Sequence, residues 1–175
     1  MKLKTNIFQY QKKLKRFGKE IDKGTISALN KTNTTMFTRT KRELSNISGL
    51  KQKEVSQFMN KKKADPTDFL SSIFVRGKAL NIHRFSAKQQ KKGVKAKPWN
   101  RPQMFDGAWI MHGRTVMKRT SKNRFPIEPL FGPSLRKEFK KNVLTSAFKK
   151  ASHDRFISLF YKEMKYRKGK VFGTA

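Results

Sequence analysis

The sequence predicts an α+β fold with a long N-terminal helix or helices, a central antiparallel β-sheet arranged as a sandwich or partly open barrel, and C-terminal helices. Three observations support this class. Apolar residues recur at helical spacing early in the chain, short β-type segments between glycine and proline turns fill the middle, and a helical period returns near the end. We expect one compact domain with a helical extension, divided into residues 1–58, 59–133 and 134–175.

The N-terminal helix is predicted from an apolar seam with lysine and arginine on the other helix faces. Its partner would be its own domain or a neighbouring subunit; an acidic protein surface or a membrane surface are the alternatives. Gly24 is a candidate interruption, and a short helix is expected at residues 51–58. The seam residues are spaced four, three, four, three and four apart: Leu3, Ile7, Tyr10, Leu14, Phe17 and Ile21.

The middle of the chain has the pattern of short strands. Residues 59–64 and 69–76, joined by a turn at residues 65–66, predict two strands, and residues 80–85 predict a third, as in an antiparallel meander. Further paired strands are expected around Gly107, with Trp109 and Val116 facing inward.

Positive charge is the strongest compositional signal. The chain has 43 lysines and arginines against 11 acidic residues, a formal net charge of +32 that is spread along its length. Such a body favours a polyanion or acidic surfaces as its partner. Residues 69–102 contain nine basic and no acidic residues, and we expect phosphate contacts there; a hairpin whose lysines serve solubility is the alternative. The candidate contacts are Lys88, Lys91, Lys92, Lys95, Lys97 and Arg101.

A proline-rich stretch, residues 124–134 (RFPIEPLFGPS), precedes the C-terminal helical region. Proline lacks an amide donor, so the stretch predicts an edge strand that turns into a helix, with Pro133 in the first helical turn and Ser134 or Gly132 as its cap. That helix would run through Leu135 to residue 148, and a last helix would begin near Asp154 and fray after residue 165. The candidate architectural or interface residues are Gly107, Pro126, Pro129, Gly132, Pro133 and Ser134.

The residues do not assemble into a catalytic or metal-binding pattern. The chain has no cysteine, and its three histidines are isolated in sequence, so we expect no disulfide, no metal site and no cofactor. Asp106 and Glu128 could form a nuclease pair, but Glu128 lacks the following lysine of that arrangement. No apolar run reaches the ~20 residues of a membrane span. We therefore predict a non-enzymatic protein, made in the cytoplasm and not inserted in a membrane.

Several segments, in order, resemble the minor tail protein Z family of tailed bacteriophages. They are residues 28–32 (ALNKT) with the basic Arg39, Lys41 and Arg42, residues 48–55 (SGLKQKEV), 80–85 (LNIHRF), 91–94 (KKGV), 107–111 (GAWIM), and Arg124 with 126–134. The resemblance covers roughly residues 25–140.

The resemblance implies a virion protein that completes the tail at its head-proximal end. Proteins of that region commonly form rings around the DNA channel, often with six subunits, and the family is implicated in positioning the DNA end. The expected partners are other tail and neck proteins (tail terminator, tail tube, connector), further copies of the chain, and phage DNA. A basic nucleic-acid-binding module, ribosome- or nucleoid-associated, is the alternative that the charge alone favours.

Overall fold

The computed structural model describes residues 2–173, with side chains from Ile7 onward. It is 54% helical and 23% strand, with a long N-terminal helix, antiparallel sheets in the middle and a C-terminal helix, so the predicted α+β class is confirmed. The helices are α1 (Lys2–Ser48), α2 (Gln52–Gln57), α3 (Leu135–Glu138) and α4 (Ser146–Phe172), with 3-10 turns at Ile82–Arg84 and Pro98–Asn100 and a π-helical turn at Phe139–Val143.

The strands are divided among four small sheets. Two of these have two strands, β1–β2 and β3–β10, and two have three, β4–β5–β6 and β7–β8–β9. The strands are β1 (Met59–Lys62), β2 (Ser72–Val75), β3 (Ala79–Asn81), β4 (Lys88–Gln90), β5 (Gly93–Ala96), β6 (Gln103–Asp106), β7 (Ala108–Met111), β8 (Thr115–Arg119), β9 (Ile127–Pro129) and β10 (Phe131–Ser134).

The chain forms two compact units, each with its own packing. One, which we call the helical unit, comprises residues up to 37, residues 61–73 and residues from 146 onward. The other, the sheet unit, comprises residues 38–60 and 74–145. The three-part division at residues 58 and 133 stays a prediction.

The helical unit is built on contacts between α1 and α4. Arg167 donates to Glu20 at 2.7 Å, and the rings of Phe17 and Phe172 meet edge to face with centroids 5.3 Å apart. Phe17 precedes Glu20 in α1, whereas its partner Phe172 follows Arg167 in α4, so the two helices run antiparallel. Gly24 does not interrupt α1. It is part of the continuous helix and is buried against side chains of α4.

Several polar side chains in the threonine- and asparagine-rich part of α1 form hydrogen bonds, although the buried hydroxyls of Thr32 and Thr40 have no partner within the described residues. The hydroxyls of Thr25 and Thr35 donate to the backbone carbonyls four residues earlier, at 2.9 and 3.1 Å. Asn30 pairs with both the N–H and the C=O of Ala64, at 2.8 and 3.0 Å. The helix ends where Gly49, at φ +80°, donates from its amide to the Ser45 carbonyl at 3.0 Å.

The sheet unit encloses an apolar core to which helices, strands and turns all contribute. The side chains buried there include Leu44, Leu50, Val55, Ile82, Phe85, Val94, Val116, Leu135 and Val143. Amide side chains join its sheets. Asn81 of β3 accepts from the Val116 amide at 2.8 Å, and Gln89 of β4 accepts from the Ile110 amide at 2.9 Å.

The predicted meander is wrong in its third strand. Residues 80–85 leave the extended conformation after Asn81, whose side chain accepts from the His83 amide at the start of a 3-10 turn. β3 pairs antiparallel with β10, about 50 residues later in the chain, and not with β2. Trp109 and Val116 do lie on paired strands, although Val116 is buried and Trp109 only half-buried.

The C-terminal region also differs from its prediction. The helical period from Leu135 is broken, because the Leu144 amide bonds to the Phe139 carbonyl at 2.8 Å, a π-type step, and α4 starts at Ser146. Pro133 lies in β10 and not in a first helical turn. Ser134 occupies the N-cap position, but its hydroxyl donates to the Gly77 carbonyl at 3.3 Å. α4 continues to Phe172, so the expected fraying after residue 165 is not observed within the described residues.

Candidate nucleic-acid interface

The lysines predicted to contact phosphate lie on a β-hairpin, which we call the basic hairpin, residues 88–97. β4 and β5 pair antiparallel, and residues 91–92 form the turn between them. Lys88, Lys91, Lys92, Lys95 and Lys97 are all exposed. The structure therefore brings five of the six predicted contacts together on one element.

Alternation of small apolar and basic side chains fixes which way the hairpin faces. In β5, Val94 and Ala96 are fully buried, whereas Lys95 between them is exposed, because neighbouring residues of a strand point to opposite faces. Gly93, at φ +155°, lies so close to β6 that a Cβ there would be only 2.2 Å from the Phe105 carbonyl oxygen. A side chain at this position would separate β5 from β6.

Like charges face each other across the hairpin. Lys88 of β4 is the direct partner of Lys95 of β5, so the two side chains leave the same face of the sheet. Like charges directly opposite in an antiparallel pair destabilise it. Within residues 7–173, no carboxylate forms an ion pair with any of the hairpin lysines. A bound anion would relieve this repulsion.

Lys97 and Arg101 flank a turn that contains an exposed tryptophan. The Lys97 amide donates to the carbonyl of the buried Phe85 at 2.9 Å, which fixes the end of the hairpin to the core. Trp99, at φ +51°, donates from Nε1 to a carboxylate oxygen of Glu138 at 3.1 Å while 41% of it stays exposed. Arg101 follows this turn and is exposed. No local pattern predicts the Trp99–Glu138 contact, because the two residues are 39 positions apart.

Gly107 connects the predicted architectural residues with the basic hairpin. Its amide donates to the Lys92 carbonyl at 3.0 Å, and its φ of +69° turns the chain from β6 into β7. β6 pairs with β5, and β7 pairs with β8, so the glycine marks the change from one sheet to the next.

The proline-rich stretch forms β9 and β10. β9 is an edge strand in which Pro129 lies opposite Met117, and the Leu130 amide donates to the Val116 carbonyl at 2.9 Å. Gly132 lies against the Phe85 ring, 2.9 Å from where its Cβ would be, so a larger residue would displace β10. Pro133 is buried, and Pro126 is exposed and follows a cis peptide bond. These contacts agree with a role in shaping the backbone, which stays a prediction.

The apolar seam of α1 is exposed at its N-terminal end. Ile7, Tyr10 and Leu14 are 55–61% exposed, whereas Phe17 and Ile21 are half-buried. The first turns of α1 are exposed because α4 ends before it reaches them. Phe17 meets Phe172, the last residue of α4, so the preceding turns of α1 extend past that helix. The side chain of Leu3 lies outside the described residues.

Two other kinds of site are absent from the described part of the chain. No group of three or more histidine, aspartate or glutamate side chains there could hold a metal ion. Among the helices of residues 2–173, none combines the length and the apolar content that crossing a membrane requires.

Comparison with protein families shows that the chain is a structural protein of a bacteriophage tail. It belongs to the prophage minor tail protein Z (GPZ) family, whose model matches residues 9–167. The resemblance found at residues 25–140 is thus confirmed, and the match extends into both α1 and α4. No curated protein and no solved structure matches the chain. As a phage tail protein, it belongs to the virion together with other tail proteins.

Proposed function

We propose that this tail protein completes the tail at its head-proximal end, where it forms a ring around the DNA channel and contacts the DNA end. Family membership supports the assembly role. The net charge of +32 supports the position, because a subunit of this charge is strongly self-repulsive unless a polyanion or acidic neighbours surround it. The partners in this proposal are tail terminator, tail tube and connector proteins.

The basic hairpin is the part that contacts DNA, and the observation that carries this assignment is the cross-strand pair of Lys88 and Lys95. Two ammonium groups held on the same face of a sheet are stabilised by a phosphate that both can approach. Lysine contacts the backbone without reading bases, which suits a protein that must accept any sequence at the DNA end. Trp99 and Arg101, which follow Lys97 in the chain and are exposed, are assigned to the same contact.

Subunit contacts are assigned to two exposed features. One is the seam at Ile7, Tyr10 and Leu14, where apolar side chains on a basic helix lack a partner within the described chain. The other is the β9 edge, where Pro129 has no amide to donate, so that a strand of a neighbour can pair there only over a limited length.

The DNA contact is tested with two quadruple variants of equal charge. One variant replaces four hairpin lysines by glutamine: Lys91, Lys92, Lys95 and Lys97. It should bind duplex DNA more weakly than the wild type. The slope of log K against log salt concentration should fall in magnitude by about 3 to 4, since each phosphate contact contributes ~0.9. The control replaces Lys118, Lys122, Lys137 and Lys140, which are exposed lysines of the same unit. Equal losses in both variants would assign binding to total charge and remove the hairpin from the proposal.

The position in the particle is tested separately. A cryo-EM map of the intact virion should show this chain as a ring at the head–tail junction. Density along the tube or at the distal tip would contradict the proposed position, whatever the DNA measurements show.

A further inference from the structure

A second cationic surface lies in the helical unit, apart in sequence from the basic hairpin. It is an open groove of about 580 Å³. Three of its lining residues are cationic and, among the described residues that line it, none carries a carboxylate. The lining is Ser27, Asn30, Lys31, Thr34 and Thr35 of α1, Lys63, and Arg155 and Leu159 of α4.

The first cation, Lys31, is fixed by Glu163 of α4. Its ammonium group lies 2.6 Å from the Glu163 carboxylate, which also accepts from Ser27 at 2.9 Å and from Arg167 at 3.3 Å. With three donors around one carboxylate, the negative charge of Glu163 is fully engaged. Lys31 keeps two further N–H groups that can bind another anion.

The second cation, Lys63, is positioned by its neighbours in sequence. Asn30 binds both backbone groups of the adjacent Ala64, at 2.8 and 3.0 Å, and so fixes this segment to α1. Of the three consecutive lysines, Lys62 pairs with Asp68 at 2.5 Å, and Lys61 lies over the Phe37 ring at 5.5 Å. Lys63 alone of the three lines the groove.

The third cation, Arg155, comes from α4 one turn before Leu159. Within the described part of the chain, neither Lys63 nor Arg155 forms an ion pair. The groove therefore carries two uncompensated positive charges, held on separate elements, beside hydroxyl and amide groups. Cations held on separate elements of an open groove suit an extended anion with several charges better than a single small ion.

We propose that this groove binds backbone phosphates of nucleic acid, as a second contact site besides the basic hairpin. The inference rests on the proposed DNA contact and extends it to the helical unit. Arginine provides bidentate phosphate contacts, and lysine provides mobile point charges, so Arg155 and Lys63 together can hold successive phosphates of one strand.

The test uses the full-length protein and a duplex oligonucleotide, with binding measured over a range of salt concentrations. Replacing Lys63 and Arg155 by glutamine should weaken binding about tenfold near physiological salt and lower the salt slope by about 2, because each of the two side chains neutralises one phosphate in the wild-type complex. The matched control replaces Lys149 and Lys150, two exposed lysines of the same helix α4, and should change affinity less than about threefold.

The outcomes separate this site from the rest of the proposal. If the groove variant binds like the wild type while the hairpin variant does not, the groove inference is wrong and the hairpin assignment stands. If the groove variant and its control lose affinity equally, the effect is one of net charge and the groove is again excluded. If the wild-type protein does not bind DNA, both contact sites fail, whereas the position in the virion is decided independently by microscopy.

Discussion

Arg167 of α4 donates from Nη1 to the Oε2 of Glu20 in α1 at 2.7 Å, across 147 positions of sequence. Both side chains are largely shielded from water, with 15% and 8% of their surfaces exposed. Lys23 lies 3.2 Å from the other oxygen of Glu20, and Arg167 also reaches Glu163 at 3.3 Å. Two carboxylates and their cations thus connect the two long helices of the helical unit.

This network predicts loss of stability in acid. A hydrogen bond from Lys23, with a further one from Arg167, lowers the pKa of Glu20 below its usual 4.5, and a hydrogen bond from Lys31 lowers the pKa of Glu163 in the same way. A carboxyl whose pKa is lower in the folded state stabilises the fold above its unfolded pKa. That contribution disappears as pH falls through the lower, folded value.

We therefore expect the Tm of the wild-type protein, followed by circular dichroism, to fall as pH decreases from 5 to 3. The double variant Glu20→Gln and Glu163→Gln should have a lower Tm at pH 7 and a smaller change between pH 5 and 3. An equally steep change in the variant would show that other carboxyls cause the acid sensitivity.

Gly24 should accept a branched side chain less readily than Gly18 does. A Cβ at Gly24 would lie 2.2 Å from the end of Met164 and 3.0 Å from Arg167, in the contact between α1 and α4. Because the Met164 methyl is the end of a flexible side chain that can move aside, Gly24→Val should destabilise the protein by about 1 kcal/mol, the low end of the cost of overpacking. Gly18→Val is the control, because no described atom other than those of its chain neighbours and its own helix backbone lies within 4 Å of its Cβ position. Chemical unfolding curves with similar midpoints for both variants would contradict this packing.

Asn81 should be needed to join two sheets of the sheet unit. Its side chain accepts from the Val116 amide at 2.8 Å and donates to the Val116 carbonyl at 3.2 Å. Asn81→Ala leaves the amide of the buried Val116 without a partner, although its carbonyl still accepts from the Leu130 amide, and this should cost about 1–3 kcal/mol in urea unfolding. The exposed Asn46 provides the matched control, Asn46→Ala, for which we expect a change within about 0.5 kcal/mol.

The sequence predicts the features that depend on local pattern. The apolar spacing of α1, the short helix around Val55 and the strands at residues 59–62 and 72–75 follow from periodicity and turn residues, and all are observed. The lysines of the basic hairpin are predicted as well, because they cluster within ten residues of the chain. Where those lysines bind stays a prediction.

Features set by distant contacts could not be predicted. No local signal shows that Asn81 would bind Val116 and so direct β3 toward β10, or that Asn30 would bind Ala64 and place Lys63 beside α1. The regular spacing at Leu135, Phe139 and Val143 predicts a continuous helix, yet the π-type bond at Leu144 breaks it. In each case a tertiary contact or a backbone bond outweighed local propensity.

The helical unit has a consequence for the order of events during translation. Its first helix ends at Ser48 and its partner α4 begins only at Ser146, with most of the sheet unit between them. Glu20 and Arg167 are 147 positions apart, so at ~5–20 residues per second α1 waits roughly 7–30 s on the ribosome before Arg167 can reach Glu20. During that interval, its basic and apolar faces are open to any acidic surface nearby. The growing chain therefore exposes this helix well before it can join a tail.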